Sequence, residues 1–205
     1  MSVDEAGRGC LAGPVALGLV SFGRESLERI RSGAVLRGIR DSKKLPEAIR
    51  KRLASEIKEL CSFWKVVFVS PKTIDRININ QAIFYGINRG LPKDAKQRAY
   101  LFVDGNYKLA LRTPILGYTS IPKGDDIVPS ISAASILAKT HRDAWMEEMD
   151  RKYPGYGFSK HKGYGTSFHR EKLIQLGASP IHRLSFLRNL RSWESEELPF
   201  PNLAD

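Results

Sequence analysis

Apolar residues recur along this chain with two periods, and each change of period marks an element. Ser2–Gly7 (SVDEAG) is a short run entering a glycine turn, Pro14–Phe22 (PVALGLVSF) reads as a buried strand, and Phe63–Ser70 (FWKVVFVS) as a third strand rich in β-branched and aromatic residues. Between the second and third, Pro46–Leu60 (PEAIRKRLASEIKEL) sets Ile49, Leu53, Ile57 and Leu60 at helical spacing behind a proline suited to a first turn. A further helix is predicted over Asn80–Arg89, after SPKTIDRIN. Ala99–Asp104 (AYLFVD) is a fourth strand ending at Gly105, and Leu116–Ile121 a fifth. Ser130–Met149 is predicted helical, with Ile131, Ala134, Ile136, Leu137, Trp145 and Met149 forming most of an apolar stripe. Tyr153–Gly165 (YPGYGFSKHKGYG) is too rich in glycine and aromatics to be regular, Ser167–Leu176 is predicted as a short helix, and the remainder as a helical and then irregular tail. This alternation predicts an α/β fold with a mixed five-stranded sheet flanked by helices. No internal repeat or low-complexity segment interrupts it.

Length and composition bound the picture. The 205 residues, 42% of them hydrophobic, suffice for one well-filled core, so one domain is expected over 1–191, followed by a tail at 192–205. The tail holds Glu194, Glu196, Glu197 and Asp205 and no base, so a net charge of +11 for the chain leaves +15 on the body. Such a body attracts polyanions, phosphate backbones above all, although a merely soluble basic protein shows the same balance. Cys10 and Cys61 form no C-x-x-C pair, which argues against a disulfide scaffold and a zinc site and fits a reducing cytoplasm. No apolar run approaches the roughly 20 residues of a membrane span, and charges occupy the start where a signal peptide needs an apolar stretch. A cytoplasmic monomer without membrane contact is expected.

Chemistry is expected where acids end strands, because strand ends open onto clefts. Asp4 and Glu5 precede Gly7-Arg8-Gly9, Asp104 closes LFVD before Gly105, and Asp125 follows the fifth strand. Hard divalent cations want carboxylate oxygens, and two-metal phosphodiester chemistry needs several of them from separate elements. Each acid also has a bland reading as a turn residue. Pleat geometry aims Asp4 and Glu5 at opposite faces, so they share a site only where the strand twists or bulges. Asp126 and Asp143 compete with Asp125, and spacing does not choose among them.

The residues as written go further. Asp4-Glu5-Ala6-Gly7-Arg8-Gly9 with Leu11-Ala12-Gly13-Pro14-Val15 resembles the opening signature of the type 2 ribonuclease H family, ribonuclease HII. The resemblance continues in order through Asp41-Ser42-Lys43-Lys44-Leu45, Val103-Asp104-Gly105, Lys123-Gly124-Asp125, SISAASILAK with Arg142-Asp143, YPGYGF, HKGYGT and PIHRLSF, and so spans residues 3 to about 186. It implies a ribonuclease H-like sheet flanked by helices with a helical C-terminal extension, and Mg²⁺ or Mn²⁺ held by Asp4, Glu5, Asp104 and Asp125. Asp143 would then stand beside the ligands in a supporting role. The chain departs from the family just past Asp125, where Asp126-Ile127-Val128-Pro129 replaces the usual continuation of GDAKS. Asp126 is therefore an alternative fourth ligand.

The same resemblance implies that Gly7, Arg8 and Gly9 read a 2′-hydroxyl together with Tyr164, and that Lys43, Lys44 and Lys139 contact backbone phosphates. The implied reaction is metal-assisted hydrolysis of RNA in RNA–DNA hybrids and of the bond 5′ to ribonucleotides embedded in DNA, leaving 3′-hydroxyl and 5′-phosphate ends. Such an activity suits the excision of misincorporated ribonucleotides or primers. Two other classes remain open at this stage: a related nuclease, such as a resolvase or a type 3 ribonuclease H, and a non-catalytic nucleic-acid binder that would need the basic face but not the acids.

Overall fold

The computed structural model describes residues 1–39, 45–93, 99–111 and 114–188. Strands β1 (Ser2–Ala6), β2 (Val15–Phe22) and β3 (Cys61–Val69) pair antiparallel in sequence, while β4 (Tyr100–Asp104) and β5 (Gly117–Ile121) add parallel to β1. The resulting five-stranded mixed sheet has the order β3-β2-β1-β4-β5. This is the predicted α/β architecture.

Helices cover both faces, which is why β2 is apolar at nearly every position. On one face α3 (Pro71–Ile77) and α4 (Ile79–Gly90) bury Leu17, Leu19, Val69, Ile74, Ile83 and Ile87. On the other, α2 (Glu47–Leu60) and the long α6 (Pro129–Lys152) bury Val20, Leu53, Ile57, Ala134 and Leu137. Each of these valine, leucine and isoleucine side chains contributes about 1.5–3 kcal/mol by leaving water. Close approach of α6 depends on Gly18, where an added Cβ would stand 2.1 Å from the Ala134 carbonyl oxygen. Small residues at 133–135 of α6 therefore set the helix tightly along β1 and β2, running from Ser130 beside Ser2 to Arg142 beside Gly7.

The predicted helices at 46–60, 80–89, 130–149 and 167–176 appear as α2, α4, α6 and α8 (Ser167–Leu176). Four helices were not expected. The first, α1 (Arg24–Arg31, RESLERIR), buries only Ile30, too narrow a stripe to show in the pattern. Ser70 caps α3 by accepting from the Thr73 N–H at 3.2 Å with Pro71 in its first turn, a start signal that lies inside the stretch read as a lead-in to α4. Both α5 (Gly124–Ile127) and α7 (Phe158–His161) are single turns, shorter than any periodicity can reveal. Past α8 the described chain makes a bridge from His182 to Ala12 and a 3₁₀ turn at Leu184–Phe186. The tail at 192–205, with Lys43 and Lys44, lies outside the described residues. Among those described, no helix is long and apolar enough to cross a membrane.

Candidate active site

Strand pairing brings the acids together. Val3 pairs with Val103 in the parallel β1–β4 ladder, so the next residues, Asp4 and Asp104, emerge side by side on the face covered by α6. Asp125 comes from α5, and the Asp104 Oδ1 accepts the N–H of Gly124 at 2.6 Å, which ties the start of that turn to the end of β4. The Ser132 hydroxyl of α6 donates to the Asp125 carbonyl and fixes the turn from the other side. Carboxylate oxygens of Asp4, Asp104 and Asp125 all lie within 4.8 Å of one another, the one such acidic or metal-ligating group among the described residues. Asp4 and Asp125 are buried. Burial, with the charges of Glu5 and Asp104 adding to it, holds the Asp4 carboxyl well above the usual carboxylate range. Crowded, buried carboxylates of this kind are relieved by a bound cation or a shared proton, and an all-oxygen donor set suits a hard divalent cation.

Asp126, one residue on, is exposed and outside the cluster, so the helical turn selects Asp125 between the two. Asp143 is also outside it. It is buried in α6, where it accepts from the Lys139 ammonium at 2.7 Å and from Arg50 at 3.3 Å. Asp143→Asn is therefore expected to cost stability, about 1–2 kcal/mol given the partial exposure of its partners, while cleavage stays within a few-fold of wild type. A thermal melt and a cleavage assay on the same preparation test this; unchanged stability with lost cleavage would contradict it.

Glu5 behaves differently from the other three predicted ligands. No bulge interrupts the β1–β2 register at Asp4 and Glu5, so their side chains leave opposite faces of the sheet. Glu5 accepts a hydrogen bond from the Tyr107 hydroxyl at 2.7 Å and lies 3.8 Å from Arg8. Arg8 in turn donates to the Tyr107 oxygen and to the Asn80 side chain, the latter at 2.9 Å.

Of the predicted nucleic-acid residues, Gly7, Arg8, Gly9, Lys139 and Tyr164 line one cleft of about 420 Å³ together with Glu5 and Arg50, while Lys43 and Lys44 lie outside the described residues. Tyr164 is 43% exposed, with the Lys139 ammonium 5.8 Å from its ring centre. The two glycines have separate uses. At Gly7 the backbone is left-handed (φ +84°) and an added Cβ would stand 1.9 Å from Arg142 Nε, so this glycine serves packing inside the protein. At Gly9 an added Cβ would meet nothing within 4 Å, and there the backbone is open to a ligand.

Two buried arginines brace this loop, and the sequence reading assigned neither a role. Arg183 donates to the carbonyls of Gly13 (2.9 Å), Arg8 (2.8 Å) and Gly7 (2.7 Å). Arg142 donates to those of Pro14 (2.9 Å), Ala12 (3.0 Å) and Lys162 (2.8 Å), and so joins the loop to the segment that carries Tyr164. A signal for Arg142 existed: it stands in the buried stripe of α6 between Ala138 and Met146, where a charge demands partners. Tyr107 and Arg50 carried no such signal.

A mixed sheet in this order, with acids converging from the ends of two neighbouring strands and the following helix, defines a nuclease of the ribonuclease H type. The chain belongs to the ribonuclease HII family, whose model, described as Ribonuclease HII, matches residues 1–189. It is 46% identical over 190 residues to the ribonuclease HII of Pelodictyon phaeoclathratiforme, covering 92% of this chain and 89% of that one. The Nitrosospira multiformis ribonuclease HII is 44% identical over 184 residues, with 90% and 87% covered. Among solved structures, ribonuclease H2 from Pyrococcus horikoshii superposes with a TM-score of 0.71 at 25% identity over 95% of this chain and 98% of that one. Ribonuclease HII of Archaeoglobus fulgidus, solved in complex with PCNA, gives 0.72 at 27% identity over 93% and 97%. The chain is thus an enzyme, a ribonuclease H-type endonuclease acting on nucleic acid, and its family is metal-dependent.

Proposed function

We propose that this enzyme, in the cytoplasm, cleaves the RNA strand of RNA–DNA hybrids and, in duplex DNA, the phosphodiester on the 5′ side of an embedded ribonucleotide, leaving 3′-hydroxyl and 5′-phosphate ends. The observation that carries the reading is the cleft lined by both the open backbone at Gly9 and the exposed Tyr164, together with Glu5, the neighbour of Asp4. A 2′-hydroxyl is the group that separates RNA from DNA, and a backbone without side chains can reach it while an aromatic ring packs on the adjoining sugar.

Asp4, Asp104 and Asp125 would hold Mg²⁺ or Mn²⁺; Glu5, the fourth ligand that family resemblance names, lies outside that cluster with its carboxylate on the Tyr107 hydroxyl. When bound, such ions lower the pKa of an attacking water and stabilise the leaving 3′-oxygen. The protein's own part is positioning. Arg8 spends N–H groups on Tyr107 and Asn80, which fixes its planar fork beside the cleft and leaves other N–H groups for a phosphate. Lys139 and Arg50 add positive charge to the lining of the cleft.

A duplex DNA carrying one ribonucleotide, incubated with and without Mg²⁺, tests the reading: a single metal-dependent cut on the 5′ side is expected, and no cut would refute it. Tyr164→Ala should lose this cleavage about tenfold more than cleavage of a long hybrid, because only the hybrid offers alternative registers, and one stacking contact is worth about 1–3 kcal/mol. Equal losses on both substrates would show that Tyr164 does not read the junction.

A further inference from the structure

Beside Tyr164 lies a buried group of three histidines that the mechanism above does not use: His161 at the end of α7, His169 in α8 and His182 in the bridge to Ala12. His161 and His169 stack with ring centres 4.2 Å apart, and Phe158 sets its edge or tilted face against all three. Hydrogen-bond partners fix the proton on each ring. The Ser179 backbone N–H can only donate, and it points at His182 Nδ1 from 2.9 Å, so His182 carries its proton on Nε2. That Nε2 lies 3.0 Å from His169 Nε2, which must therefore accept, leaving the His169 proton on Nδ1. From Nδ1 it donates to the Tyr164 carbonyl at 2.9 Å. By the same reasoning His161 accepts the Gly163 N–H on Nδ1 at 3.1 Å and donates from Nε2 to the Tyr156 carbonyl at 2.8 Å.

The outcome is a chain of donors with one direction: Ser179 N–H to His182, His182 to His169, His169 to Tyr164. Both linked rings must be neutral for it to exist, and burial pushes His169 and His182 down to about 4, which keeps them so at neutral pH. The segment held by this chain also docks on the Gly-Arg-Gly side of the cleft, since the Gly163 carbonyl accepts the N–H of Leu11 at 2.9 Å. We infer that His182 and His169 are positioning residues for substrate choice, holding Tyr164 at the cleft through this directed chain. The inference rests on the reading of Tyr164 given above.

Its test exploits side-chain geometry: asparagine places a nitrogen where histidine has Nδ1, and glutamine where it has Nε2. His169→Asn keeps the donor to the Tyr164 carbonyl and His169→Gln removes it. At 182 the order reverses, since Gln keeps the donor to His169 and Asn does not. Rates on a duplex with one ribonucleotide and on a long hybrid are compared for the four variants. The ratio is expected to stay within about twofold of wild type in His169→Asn and His182→Gln, and to fall about tenfold in His169→Gln and His182→Asn, the worth of one buried hydrogen bond. It should fall no further when His169→Gln is combined with Tyr164→Ala.

Packing alone ranks the substitutions by volume, in the same order at both positions, and such a result overturns the inference. If Tyr164→Ala leaves the ratio unchanged, the reading of Tyr164 falls and carries this inference with it; if Tyr164→Ala lowers it and the four variants do not split, the inference alone falls. Should the variants not fold, ¹⁵N-edited imidazole spectra of the wild type decide: a proton on Nδ1 of His169 and on Nε2 of His182 is expected, and the opposite tautomers overturn the chain.

Discussion

Asp104→Asn is expected to lower cleavage of either substrate by about 10³-fold or more, the scale of several kcal/mol that a ligand of catalytic metal ions contributes. The fold should be unharmed. The Oδ1 of an asparagine can still accept the Gly124 N–H that Asp104 receives at 2.6 Å, so the tie between β4 and α5 survives. One negative charge also leaves a group of three crowded carboxylates, so the unfolding temperature in the absence of metal should stay the same or rise. Metal response separates ligand loss from general damage. Mg²⁺ or Mn²⁺ at concentrations well above the dissociation constant should raise the wild-type melting temperature through binding to the native state alone, and should raise that of Asp104→Asn far less. Asp125→Asn should behave in the same way, whereas Asp143→Asn should keep the metal response. Near-normal turnover in Asp104→Asn, or an undiminished metal-induced rise, would remove Asp104 from the site.

Much of this site is legible from residue order alone because it depends on local rules. A strand's alternation puts Asp4 and Glu5 on opposite faces, and the register keeps them there. An acid at the end of an apolar strand reads directly as Asp104. The choice of Asp125 over Asp126 is not legible in the same way, because it depends on the rotation of a four-residue helix set by Gly124 packing on Ile121 and Ile131. Consecutive helical residues point about 100° apart, so a small rotation would exchange the buried acid for the exposed one. Family resemblance names Asp125, the one of the two whose carboxylate lies beside Asp4 and Asp104, whereas spacing leaves both open.

Contacts far apart in sequence are the other part that residue order hides. Tyr107 is 102 positions from the Glu5 carboxylate it holds, and no periodicity predicts that a loop tyrosine turns back to β1. Gly7 looked like an opening for a ligand, yet its missing Cβ makes room for Arg142; only Gly9 is open. Both glycines look alike in the sequence. What separates them is a guanidinium 135 positions away, carried on a helix whose placement depends in turn on Gly18.

Arg183→Met should be the most damaging substitution outside the acid cluster. The guanidinium is fully buried, and it meets its need for acceptors with backbone carbonyls of Gly7, Arg8 and Gly13. Burial draws its pKa down only to about 10, so it remains charged at neutral pH. Methionine matches the aliphatic stem and offers no donor, which leaves carbonyl oxygens of the loop unpaired in a site closed to water. Each orphaned group costs about 1–3 kcal/mol, so a loss of about 3–5 kcal/mol is expected, or roughly 10 °C in melting temperature for a chain of this size. Arg183→Lys should recover little, because an ammonium cannot reproduce a planar fork serving acceptors spread over residues 7 to 13. Cleavage should fall further than stability explains. Even where the variant is fully folded, the loop that carries Gly9 and adjoins Glu5 has lost the brace that sets it against Tyr164, and embedded-ribonucleotide cleavage should suffer more than hybrid cleavage. A variant that melts within about 2 °C of wild type and keeps both activities would mean that the loop holds its shape without Arg183.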